Sequence, residues 1–167
     1  MKFLAPLRVL ISPPAVAAVN LLILWPLVLS VADVLEGFAK GRDFREAVDI
    51  VSTLAIVMIG WGVALEERHV LRGVFGMIGR ADEPWQNTVD QLCYRTGVGV
   101  LILGLFAEIC VEAVRLPNDV MPTDGIDPII SWVSVVLLAA GALTLVHHLG
   151  VLVATAWLGY LPARHQH

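Results

Sequence analysis

Charged side chains are scarce in this chain. Asp, Glu, Lys and Arg make up 16% of its 167 residues, where soluble domains average about 25%. That excludes an ordinary solvated surface wrapped around a small core. No run of Lys or Arg occurs and the net charge is −4, which excludes the basic footprint of a nucleic-acid binder. Only two cysteines are present, Cys93 and Cys110. On one helix they would lie roughly 25 Å apart, beyond disulfide reach, so a disulfide framework is excluded. There is no Gly-rich phosphate loop, no GxSxG, no HExxH and no CxxCH. The chain is therefore read as non-catalytic.

What is present is apolar sequence, 57% of the residues, and it comes in blocks. Blocks of about 20 apolar residues read as membrane spans. The blocks predict an all-α fold, an integral membrane four-helix bundle with the lipid bilayer as its solvent. One membrane domain covers 1–167, with spans at about 15–35, 48–65, 97–116 and 128–150. An interfacial extension at 151–161 carries Trp157 and Tyr160, residue types that favour the membrane–water boundary. Between spans two and three, "EERHVLRGVFGMIG" (66–79) reads as an amphipathic cytoplasmic helix. Pro26 removes a backbone donor inside span one and predicts a kink there. "MKFLAPLR" with "SVA" at 30–32 resembles a cleaved leader, but the apolar run continues to Leu35, longer than a signal core needs. The segment is kept as a span.

The loops set orientation. Lys2, Arg8, Arg68, Arg72, Arg80, Arg95 and Arg164 fall on one side, against Lys40, Arg42, Arg45 and Arg115 on the other. The positive-inside rule then puts both termini in the cytoplasm of a bacterial inner membrane. Ten acids, among them Asp33, Glu36, Asp49, Glu108, Glu112 and Asp127, crowd the outer side against five inside, a distribution that would gather cations.

Glu108 and Glu112 are the sharpest functional pair. Spaced four apart, they share a helix face, and Glu108 lies deep in its apolar run. A carboxylate in a span marks a proton or cation site as its first hypothesis. Asp33 and Glu36 join that site at the outer end. The alternative is a structural contact, with Arg115 pairing Glu112. His69, His147 and His148 form a second candidate, at the inner end. Imidazole ligands suit a transition metal or a haem, but adjacent helical residues point about 100° apart, so His147 and His148 cannot both face one site. The other reading makes them residues of the inner boundary. A gapless alignment at a shift of 78 lays span two over span four, Asp49 on Asp127 and His69 on His147, and raises a two-plus-two repeat. "GWG" (60–62) and "GVGVLILG" (97–104) read as close helix packing, and Asn20, Ser52 and Thr53 as bonds across helices.

One layout is familiar. Glu46 precedes "GWGVALEERHVLRG" (60–73), a small-residue helix ending in a charged patch and a histidine, and Pro84 follows before span three. In this the chain resembles the small four-span membrane subunit of TRAP (tripartite ATP-independent periplasmic) transporters. The layout covers most of the chain, while residue-level likeness is confined to about 30 residues. Two features depart from that family: "ADVLEGFAKGR" after span one, where the family has an arginine, and the paired histidines. The resemblance implies pairing with a larger transport subunit in sodium-coupled uptake of organic acids, with no substrate residue carried over.

The expectation is thus an accessory or small subunit of a transporter or other membrane complex, bound to a larger membrane protein or to copies of itself. Alternatives are a small cation or proton transporter or channel using the carboxylates, and a haem- or metal-binding membrane protein.

Overall fold

The computed structural model describes residues 9–40, 44–79, 83–118 and 127–160. They form five helices: α1 (Pro13–Ala39), α2 (Phe44–Glu66), α3 (Arg68–Val74), α4 (Glu83–Asn118) and α5 (Asp127–Tyr160). Four are long and apolar enough to cross a membrane, over Pro13–Gly37, Val48–Glu66, Pro84–Arg115 and Ile129–Thr155. Lys2, Arg8, Arg42, Arg80 and Arg164 from the orientation argument lie outside the described residues.

The long helices alternate in direction as an up-and-down bundle. α4 packs against both α2 and α5, and α1 lies mainly on α5. The α2–α4 seam is tight because it is built on glycine. A methyl group added at Gly97 would stand 2.6 Å from the Gly62 carbonyl oxygen, and one at Gly62 2.7 Å from the Leu101 nitrogen. Gly104 repeats the contact two turns on, against the Ala55 carbonyl. Of the small residues singled out in the sequence, Gly60 faces open space. A core of Ala55, Met58, Leu65, Val100, Ala107, Leu138 and Leu145 fills the bundle.

Helix limits differ from the sequence reading at α4 and α3. Helix α4 begins at Glu83, well before residue 97. Helix α1 runs continuously through Pro26. Helix α3 is only seven residues long and turns Arg68 and Arg72 inward, leaving Val70 and Val74 exposed. It ends in a Schellman turn: Met77 N–H bonds the Arg72 carbonyl and Gly76 N–H the Gly73 carbonyl, with Gly76 at φ +62°. Helix α5 continues through the 151–160 extension to Tyr160.

The repeat does not hold in register. At a shift of 78, buried Val51, Ala55, Met58 and Leu65 fall on Ile129, Val133, Val136 and Leu143, all exposed. Two apolar helices align by composition while burying different faces.

Candidate functional site

Two buried polar clusters occupy the half of the bundle nearer α3. The first joins all four long helices. Trp61 on α2 donates its indole N–H to Asn20 Oδ1 on α1 at 2.6 Å. Asn20 Nδ2 stands 2.8 Å from His148 Nδ1 on α5. The far ring nitrogen, Nε2, lies 3.7 Å from Cys93 Sγ on α4. Asn20, Cys93 and His148 are fully buried.

Donor chemistry fixes the direction of this chain. Indole only donates, so the amide oxygen of Asn20 must face Trp61 and its NH2 must face His148. His148 Nδ1 then accepts, which leaves the ring proton on Nε2, directed at the Cys93 sulfur. A metal or haem iron would need Nε2 free of its proton. In this arrangement that nitrogen is a donor.

The second cluster lies about one turn further toward that end, between α3 and α4. Asp90 accepts from Arg68 through one oxygen and from Arg72 through the other. His69 Nδ1 adds a third contact at 3.2 Å. Arg68 also reaches the Gln86 amide oxygen at 2.9 Å and the Ile11 carbonyl at 3.0 Å, so one guanidinium ties α3, α4 and the segment before α1. Arg68, Arg72 and Asp90 are buried. Burial lowers Arg68 from its ordinary value; the nearby Cys93 sulfur opposes this and Arg72 reinforces it. Asp90 is the carboxylate both arginines share. His69 itself is 57% exposed and borders an open cleft with Glu66, Asn87, Gln91 and Tyr94.

The histidines therefore have separate surroundings. His69 binds Asp90, His148 is enclosed by Asn20 and Cys93, and His147 is exposed on another face of α5. Among the described residues, no three His, Cys, Asp or Glu side chains are arranged to hold a metal ion. His148 belongs to the interior of the bundle. By helix rise it stands about 29 Å beyond Ile129, within the apolar stretch Ile129–Thr155.

The carboxylates toward the opposite end of the bundle also separate. Glu112 pairs with Arg115 at 2.9 Å, and Arg115 continues to Asp49 on α2. Glu36 pairs with Lys40 on the surface, and Asp33 is exposed. Glu108 takes a hydrogen bond from Ser52 Oγ at 3.0 Å through Oε1, while its Oε2 is buried without a partner. Ser52 and Asn20 bond across helices as their positions in apolar runs predicted. Thr53 instead bonds its own backbone, at Asp49. Both cysteines are free thiols.

The comparisons found no family model, no characterised protein and no solved structure similar to this chain.

Sequence reasoning missed Trp61, Cys93 and the Arg68–Asp90–Arg72 cluster as parts of a site. Asp90 did carry a signal. It lies one turn from Gln86 and from Cys93, so the three share one stripe of α4. Its arginines lie on another element.

Proposed function

We propose that the chain is a non-catalytic, multi-pass inner-membrane protein with cytoplasmic termini, acting as the small or accessory subunit of a larger membrane complex. The observation that carries this reading is the Arg68–Asp90–Arg72 cluster. Its buried charges answer one another and the Ile11 carbonyl, so they act as a clamp that sets helix positions. Together with the Gly62–Gly97 seam they give a bundle whose inner polar groups serve its own architecture. A rigid small bundle with an apolar exterior suits a scaffold for a larger transport subunit, the role the TRAP resemblance implies. The test is mild-detergent purification of the tagged chain from its native membrane. One larger membrane protein at fixed stoichiometry is the expected result. A homo-oligomer that conducts cations on its own would overturn it.

Glu108 favours a second reading, a small cation or proton transporter. A carboxylate within a span with one oxygen buried and unpartnered is where a proton or cation would bind. Glu112, Asp33 and Glu36 would then shape the outer approach. Glu108→Gln should abolish cation-driven flux in proteoliposomes. Unchanged flux removes this reading. A haem or metal bound through His69, His147 or His148 is the third, and a purified sample without visible absorbance or bound metal removes it.

A further inference from the structure

Among the described residues, Lys40, Arg68, Arg72 and Arg115 each hold a carboxylate. Arg95 holds none, and it is exposed. It stands at the edge of a groove of about 190 Å³ between α4 and α5. Val89, Leu92 and Val151 make the apolar part of the lining, while Thr88, Gln91 and Thr155 supply polar groups. Both threonine hydroxyls donate to carbonyls of their own helices, so Arg95 and the exposed Gln91 amide are the donors left for an occupant.

The depth of this groove is set by its neighbours. Arg95 lies two residues before Gly97, where the apolar run of α4 starts, and two after Cys93, the partner of His148. That level is close to the inner edge of a 30 Å apolar core, as reckoned by helix rise. Tyr94 beside it is 52% exposed, an aromatic of the kind that settles among headgroups. An unpaired guanidinium at headgroup depth, next to an apolar groove, meets two parts of one molecule. Its planar fork matches a phosphate, and the groove continues toward the acyl chains.

We propose that the α4–α5 groove binds the phosphate headgroup of an anionic phospholipid, with Arg95 as its countercharge. This rests on the reading that the chain spans a membrane.

The test is native mass spectrometry of the full chain released from nanodiscs containing equal phosphatidylglycerol and phosphatidylcholine. The chain should retain one phosphatidylglycerol in preference. Arg95→Gln should weaken that preference about fivefold, and Arg95→Lys should keep most of it. Val151→Trp, which fills the groove and leaves Arg95 in place, should also reduce it. Inorganic phosphate should fail to displace the lipid. Equal retention of both lipids, no effect of Arg95→Gln, or displacement by phosphate alone would overturn the proposal. Release of the chain from native membranes by alkaline carbonate would defeat the membrane reading and the proposal together. A membrane-retained chain without lipid preference would defeat the proposal alone.

Discussion

Asn20 donates its amide N–H to Nδ1 of His148, 128 residues further along the chain, at 2.8 Å. Because Trp61 holds the other end of the amide, this one contact sets the tautomer of a buried imidazole and joins the first helix to the last.

Asn20→Leu strands both the Trp61 N–H and His148 Nδ1. Leaving a buried polar group unsatisfied costs about 1–3 kcal/mol, so the variant should unfold at lower temperature or denaturant in detergent. Asn20→Asp is the sharper probe. It keeps an acceptor for Trp61 but offers no donor to the ring, so the His148 proton should move to Nδ1. Nitrogen-15 shifts of the imidazole that stay unchanged would refute the assigned hydrogen-bond direction.

Asp90→Asn removes the carboxylate between two buried guanidinium groups. Breaking a buried pair from one side costs about 3–5 kcal/mol. A triple variant with Asp90→Leu, Arg68→Leu and Arg72→Met should recover much of that loss, because no charge is left uncompensated. The single loss should persist in high salt, since a buried pair is weakly screened. The exposed Arg115–Asp49 pair should respond to salt. Equal stability of wild type and Asp90→Asn would refute the clamp.

Gly97→Ala inserts a methyl group between two backbones. Overpacking of this kind costs about 1–3 kcal/mol. Gly60→Ala, facing open space, should be neutral or slightly stabilising. Paired unfolding curves check the contrast, and similar effects at both positions would mean that α2 and α4 do not meet at Gly97.

Cys93 should resist thiol reagents in the native membrane when Cys110 is replaced by Ala, because the sulfur is enclosed against His148. Labelling should appear on denaturation and rise in the Asn20→Leu variant. Rapid labelling of the native chain would place Cys93 outside the bundle.

The number of apolar helices was legible from the sequence. Twenty consecutive apolar residues are a local property, and helix rise converts them directly into a length that spans a bilayer. Close packing at Gly62 and at Gly97 was legible for a related reason, since small residues in an apolar helix allow close approach, but that these two meet each other was not. The start of α4 was not. Asp90 and Arg95 lower the local hydropathy of "EPWQNTVDQLCYRT" (83–96), so the apolar run begins at Gly97. The helix nevertheless continues back to Glu83, and within it Asp90 is held by Arg68 and Arg72 of α3. The separation of His147 from His148 was also legible, since adjacent helical residues diverge by about 100°. Which of the two lies inside depended on how α5 rotates against α1 and α4, and hydropathy contains no term for that rotation. The sequence by itself determined how many long apolar helices form and that each can cross a bilayer, because an apolar run depends only on neighbours in the chain. Only the tertiary structure decided which polar groups meet, because Asn20, Trp61, Cys93 and His148 come from four helices and bond only when those helices pack.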